Sequence, residues 1–201
     1  MIDEAIQQDV KFFVYSSVDR GGDTSYDNPT DIPHFISKHN TEHHLVEKTK
    51  GTEMDWTILR PAAFFDNLVP GFMGKVFATS WDMYLKGKPL QMVATSDIGY
   101  FAAEAFLNPG RHKEKPISIA GDELTYSQME EIFRKKTGNP VPTTYQTFVS
   151  ILMSYMKDMW QMFKWFHDVG YGADISELRR INPNLKDFET WLEKESEFMK
   201  N

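Results

Sequence analysis

Apolar and polar positions fall in blocks along the chain. Three short runs rich in β-branched or aromatic residues, Lys11–Tyr15, Asp55–Leu59 and Pro116–Ala120, alternate with longer stretches whose apolar positions recur at helical spacing. Such runs suit the strands of a parallel sheet, and their alternation with helices predicts a three-layer α/β core. Phe12 to Tyr15 reads as a strand buried on both faces. Leu90–Val93 reads as a further short strand.

The intervening segments read as helices. Met1 to Asp9 has Ile2, Ala5 and Ile6 on one side, as in the last turns of a helix. A longer helix is expected from Pro33, a tolerated first-turn position, capped by Asp31 or Thr30 and stopped at Gly51. Phe72–Leu85 is expected to form a helix or an irregular lid, followed by a turn at Lys86–Pro89. Ser96 is expected to cap the next helix, which points Phe101, Ala102, Ala105 and Phe106 inward and ends at Pro109. A helix over Gln128–Thr137 is capped by Thr125 or Ser127. Thr144–His167 is the most apolar helical stretch, and Met and aromatic residues at this spacing build a core, a lid or a partner face. Lys157, Asp158 and Lys164 interrupt it, which excludes a membrane span. Leu185–Met199 forms a final amphipathic helix.

Candidate chemistry gathers where the first run ends. Ser16 and Ser17 sit at the carboxyl end of their strand, the edge at which open α/β sheets bind ligands. His34 and Lys38, at i and i+4, share one face of the following helix. A strand-end serine facing a titratable group and a lysine one turn apart is an active-site arrangement, although the same residues also suit a buried strand followed by an ordinary amphipathic helix. Arg60-Pro61 ends the second strand, because proline cannot donate to a ladder. The small residues Ala62 and Ala63 after it let the backbone approach a flat ring, and Phe64 to Asn67 follow. His39 and His43 have the i, i+4 spacing of metal ligands but no third ligand, so they read as a solvated face.

These residues resemble the middle of the short-chain dehydrogenase/reductase fold, with its strand-end serine and Tyr-x-x-x-Lys helix. Here His34-x-x-x-Lys38 keeps the spacing with histidine in place of tyrosine. That departure, with the Arg-Pro-x-x-Phe-x-x-Asn segment from Arg60 to Asn67, is similar to the NmrA-like branch of atypical members. The resemblance implies a Rossmann-type domain that binds NADP or NAD, often in regulators that sense the cofactor. It implies catalytic-type positions at Ser17, His34 and Lys38, and cofactor contacts at Ser16, Ser17, Lys38, Pro61, Ala62, Ala63, Phe64 and Asn67. It also divides the chain into a partial NAD(P)-binding domain over 1–139, with substrate-side insertions near 68–95, and a helical C-terminal region over 140–201.

Composition narrows the classes. The chain has 201 residues, a formal net charge of −7 and no cysteine, which excludes disulfide and thiolate chemistry and makes a secreted scaffold an unlikely class. No basic patch points to direct nucleic-acid binding. Met1–Asp9 is acidic and polar and does not read as a signal peptide, so the expected compartment is the cytosol, with the nucleus also open to it. A dinucleotide fold holds the pyrophosphate in a Gly-rich turn. No G-x-G-x-x-G or G-x-x-G-x-x-G occurs in the sequence, and Gly21-Gly22 follows a later strand. The expectation is a product truncated at its start, with compromised cofactor binding and an unpaired sheet edge.

Three functions fit this reading. The first is a cofactor-sensing regulator with little or no dehydrogenase activity, partnered by a nicotinamide dinucleotide. The second is an atypical short-chain reductase or isomerase acting on a small carbonyl substrate, with Ser16 or Ser17 orienting the carbonyl, Lys38 holding ribose and His34 or Tyr26 supplying the proton. The third is a cofactor-free fragment that acts through its aromatic helix as a protein-interaction scaffold; a protein partner or a homo-oligomer is open in general.

Overall fold

The computed structural model describes residues 1–200 of the chain. Helix α1 (Ile2–Gln7) runs into β1 (Phe12–Ser16), and α2 (Pro33–Thr49) crosses to β2 (Asp55–Pro61). After β3 (Ala63–Phe64) and α3 (Phe72–Leu85) come β4 (Leu90–Val93), α4 (Thr95–Leu107) and the single turn α5 (Pro109–His112). Strands β5 (Lys115–Ile119) and β6 (Asp122–Leu124) precede α6 (Tyr126–Thr137), α7 (Gln146–Tyr155), α8 (Lys157–Asp168), α9 (Ile175–Ile181) and α10 (Phe188–Lys194).

The main sheet has the order β1-β2-β5 and is parallel throughout, with Val14 opposite Thr57 and Leu59 opposite Ile117. Successive side chains of β2 point to opposite faces, so neighbouring residues feed different layers. Trp56 and Ile58 pack against Leu45 of α2 and Ile2 of α1. Leu59 packs with Phe101 of α4, Ile119 and Ala62 on the other side. This three-layer α/β arrangement is the expected one. Strand β1 departs from expectation: it pairs only with β2 among the described residues and is half-buried rather than covered on both faces. An edge position explains the difference.

A second, small sheet extends the first beyond its carboxyl edge. Strand β3 pairs parallel with β4, and β4 pairs antiparallel with β6. It is reached directly from β2 through Ala62, whose N–H donates to the Ile119 carbonyl, and from β5 through Gly121, whose N–H donates to Met92. Its apolar side continues into a core built on Trp81, Phe163, Phe188 and Trp191. The helical C-terminal segments therefore sit over the ligand edge of the main sheet.

Several helix boundaries differ from the pattern-based reading. Neither Asp31 nor Thr30 caps α2: Ile32 holds the N-cap position without a side-chain bond. Helix α4 starts two residues early, and its cap comes from outside the helix, Thr95 donating to Asp66 from N–H (3.0 Å) and from Oγ1 (2.9 Å). Ser96 instead bonds Glu195, while buried Asp97 accepts from Lys186. Phe106 points out and is 57% exposed, touching the edge of the Phe12 ring. The apolar stretch 144–167 is broken at Met156 (φ −94°, ψ 67°) into α7 and α8, and the final helix spans only Phe188–Lys194, capped by Asp187. Thr125 does cap α6, in a reciprocal capping box with Gln128.

Among the described residues no helix is long and apolar enough to cross a membrane. No group of three or more His, Cys, Asp or Glu could hold a metal there. His39 and His43 both turn Nε2 to the Tyr26 carbonyl oxygen, at 2.9 Å each.

One close approach ties the C-terminal segment to the loop after β1. Gly22 has a φ of +62°, and a Cβ there would lie 2.4 Å from the Gly172 carbonyl oxygen. Gly22→Ala should cost about 2 kcal/mol or more, from left-handed strain plus overpacking. Urea denaturation checks this, and an unchanged midpoint would refute the tight contact.

Candidate functional site

The ends of β1 and β2, the first turns of α2, and α8 enclose a cavity of about 400 Å³. Ser16 and Ser17 line it from β1, and His34 and Lys38 from α2. Pro61, Ala62, Ala63, Phe64 and Asn67 line it where β2 passes into β3. All the catalytic-type and cofactor-contact positions implied by the resemblance thus meet in one place. Tyr26 does not: it stacks on His43 at 4.2 Å, outside this cavity, and cannot supply a proton there.

Local sequence explains the convergence. A strand that ends in two serines turns its last groups out at the sheet edge. Helix α2 starts at Pro33 directly above, so its first turns overhang that edge. Pro61 closes β2, and the two alanines keep the wall low enough for the cavity to exist. The opposite wall is apolar, from Phe35, Phe77, Met162, Phe166 and Tyr171.

Beneath the cavity lies a cluster of buried charges. Asp19, Arg20 and Glu42 are wholly buried and Arg60 nearly so. Glu42, one turn beyond Lys38 on the same helix face, receives Arg60 from Nη2 at 2.6 Å and from Nε at 3.1 Å. It also receives Arg20 Nη1 at 3.0 Å and the hydroxyl of Ser17. Arg20 is further held by the carbonyls of Val18, Ser25 and Asn28. Asp19 accepts from Gly22 N–H, Ser118 Oγ and Gly172 N–H. The two acids and two arginines balance in charge, and each is hydrogen-bonded, which is the condition for charges to stay buried. Burial alone would raise the Glu42 carboxyl, but hydrogen bonds from Arg60, Arg20 and Ser17 outweigh it and hold the pKa below its ordinary value.

This cluster sets what the cavity residues can do. The Ser17 hydroxyl donates to Glu42, so its proton is not free for a ligand. Lys38 Nζ donates to the Ser16 carbonyl at 2.7 Å and lies 5.2 Å from the centre of the Tyr15 ring. Partial burial lowers the Lys38 pKa, with Glu42 acting against the shift. Burial also lowers His34, Lys38 adds to that shift and Asp158 opposes it. His34 meets the Phe35 ring edge-on at 4.7 Å and has no hydrogen-bond partner among the described residues.

The sequence reading missed the charge cluster and the aromatic wall. Glu42 was detectable as the next member of the His34, Lys38 face at i+4. The wall belongs in part to the Met and aromatic stretch over 144–167, which had been read as core, lid or partner face.

The model of the NmrA-like family matches residues 1–193. No curated protein sequence matches the chain significantly. Among solved structures, the fold is similar to a nucleoside-diphosphate-sugar epimerase from Staphylococcus aureus, with a TM-score of 0.69 and 15% identity over 96% of this chain and 68% of that one. It is similar to a triphenylmethane reductase from Citrobacter sp. complexed with NADP(H), with a TM-score of 0.67 and 15% identity over 94% of this chain and 67% of that one. It is also similar to NmrA, a negative transcriptional regulator, with a TM-score of 0.65 and 15% identity over 96% and 67% of the two chains. The chain spans about two thirds of the length of these three structures.

Glu42→Gln should destabilise the fold by about 3–5 kcal/mol, because two arginines then stay buried without a counter-charge. Ser17→Ala should cost only about 1 kcal/mol. The Glu42 pKa is lower folded than unfolded, so its contribution is complete above the unfolded value of about 4.3 and is lost as pH falls through the folded value. Urea midpoints measured from neutral to acid pH should therefore fall for the wild type and much less for Glu42→Gln. Equal acid sensitivity of the two proteins contradicts the assignment.

In a pH titration followed by NMR, the His34 ring should protonate below the ordinary histidine value near 6.5. A midpoint above that value would mean the cavity does not desolvate the ring.

Proposed function

The chain belongs to the NmrA-like family, and from that membership we propose that it is a cofactor-sensing regulator whose cavity receives the ribose and nicotinamide end of NADP or NAD, with little or no dehydrogenase activity. One observation carries the choice of sensing over catalysis: the strand-end hydroxyl that a reductase would turn on its substrate is already engaged. The Ser17 hydroxyl donates to Glu42, and Lys38 donates to the Ser16 carbonyl. His34 stands where a tyrosine would donate a proton, and burial keeps it in the neutral form.

The cavity suits the nicotinamide end of a dinucleotide on its own chemistry. Ala62 and Ala63 leave room for a flat ring beside the strand, and the Phe77, Phe166 and Tyr171 wall offers it apolar cover. The amide of Asn67 and the ring of His34 have no partners among the described residues and are available to a carboxamide or ribose hydroxyl. Lys38 adds a cation next to the ribose position. When bound, such a cofactor supplies hydride chemistry; this chain's residues supply binding, orientation and exclusion of water. The competing reading is an atypical short-chain reductase or isomerase for a small carbonyl compound. The fold is shared with a structure described as an NADPH-dependent quinone oxidoreductase from Escherichia coli, and that likeness at 17% identity extends to the fold alone.

The sequence of this chain encodes no Gly-rich turn to hold a pyrophosphate. Each charge-assisted hydrogen bond of that kind is worth about 1.5–3 kcal/mol, and losing several weakens binding by orders of magnitude. The 201-residue chain should therefore bind NADPH and NADP at about millimolar or weaker. NMR shift changes should centre on Lys38, Ala62 and Asn67 and be further weakened about tenfold in Lys38→Met. Turnover against a panel of carbonyl compounds should stay at background. A dissociation constant near micromolar overturns the affinity argument, and turnover above background favours the reductase.

A further inference from the structure

Helix α7 has an unusual surface for a chain of net charge −7: residues 143–156 include no charged side chain at all. Val149 and Met153 face the core, as an amphipathic helix requires. The opposite face is apolar too. Tyr145 and Tyr155 are 84% and 82% exposed, Ile151 is 57% exposed and Phe148 is 43% exposed. Phe148, Ile151 and Tyr155 follow i, i+3, i+7 and form one ridge along the helix. Phe72 of α3, itself half exposed, meets Phe148 edge-on at 5.6 Å and widens the patch. Beside the ridge runs a groove of about 400 Å³, lined by Ser150 and Ser154 of α7, Tyr84 of α3, and Lys157, Gln161 and the half-exposed Trp160 of α8. A contiguous exposed apolar ridge of this kind marks an interaction surface.

We propose that this face is the seat of a second copy of the chain, the α7 ridge of each copy lying in the α7–α8 groove of the other about a two-fold axis. Two observations favour a copy over other occupants. The first is charge. Two molecules of the same acidic chain repel over most of their surfaces, whereas here the uncharged ridge of each copy meets a groove whose one charged lining residue is Lys157, a cation, so no acidic groups face each other. The second is area. Buried aromatic side chains cover about 150–250 Å² each, and Phe72, Tyr145, Phe148, Ile151, Tyr155 and Trp160 each expose roughly half or more of that. Together they offer roughly 600–800 Å², close to one partner's share of a standard interface of about 800 Å². Ridge and groove on one patch also give the self-complementarity that a two-fold contact demands. The inference is independent of the cofactor reading and its test uses no cofactor.

Light scattering after size exclusion at about 100 µM should give twice the chain mass, relaxing toward monomer on dilution. The double variant Ile151→Asp, Tyr155→Asp should stay monomeric at the same concentration, with its helical circular dichroism intact. Should that variant fail to fold, the cysteine-free background gives a gentler probe. Ser150→Cys should be captured as a covalent dimer by a short bis-maleimide, while Lys48→Cys on the exposed side of α2 should not. A wild type that remains monomeric at that concentration overturns the proposal. So does a dimer that survives in the folded double variant, or equal capture at both cysteines. A monomeric wild type that sediments with phosphatidylcholine vesicles assigns the patch to lipid instead.

Discussion

The structure depends on one carboxylate. Glu42 enters the interior from α2 and gathers Arg20 from the loop after β1, Arg60 from the end of β2 and the hydroxyl of Ser17 from the end of β1. Four buried charges are costly to desolvate, and they remain buried because each is met by an opposite charge or by several donors and acceptors. The result is a fixed geometry at the carboxyl edge of the sheet: two strand ends, one loop and one helix cannot shift independently without uncovering a charge.

That constraint also decides the character of the cavity above it. The charges of Asp19, Arg20, Glu42 and Arg60 cancel, so the nearest uncompensated charge along the α2 face is the Lys38 ammonium. It lies against the Ser16 carbonyl and over the Tyr15 ring, and partial burial lowers its pKa while Glu42 opposes the shift. Ser17, in contrast, has been drawn into the buried cluster. A serine at the end of a strand looks like a substrate-facing donor in the sequence; here its proton serves the fold. The same residue types at the same spacing can therefore line a cavity without the serine proton being free for a ligand.

The main sheet was legible because its strands are apolar runs whose length and β-branched content are strong signals, and the helix from Pro33 to Gly51 was legible from its terminators. The cavity residues were legible because they sit at strand ends and at one-turn spacing. What stayed hidden has physical reasons. Strands β3 and β6 have two and three residues, too few for a period to show. Asp19 and Arg20 lie beside Gly21-Gly22, where local sequence suggests solvated loop, whereas hydrogen bonds from Ser118 and Gly172 to Asp19 and from Arg20 to Glu42 make their burial possible. Helix α4 takes its cap from Asp66, distant in sequence, so the local Ser96 was a false lead. The break at Met156 falls just before Lys157 and Asp158, two charges that an exposed helix face also tolerates, with neither proline nor glycine to announce it.

The same cluster extends its control to the C-terminal wall of the cavity. Asp19 reaches beyond its own loop to accept the Gly172 N–H at 2.7 Å, and Gly22 and Gly172 approach so closely that neither has room for a side chain. The residue before Gly172 is Tyr171, which lines the cavity and packs its ring against Trp165 and Phe166 of α8. Any movement of that wall must therefore pull on a hydrogen bond to a wholly buried carboxylate. Because Asp19 also holds Ser118 of β5, the displacement would be transmitted to the sheet and not absorbed in a loose loop. A ligand that fits the cavity as it stands is favoured over one that must open it, since a buried acceptor left short of a donor costs about 1–3 kcal/mol. The cavity is thus preorganised by charges that never touch its contents.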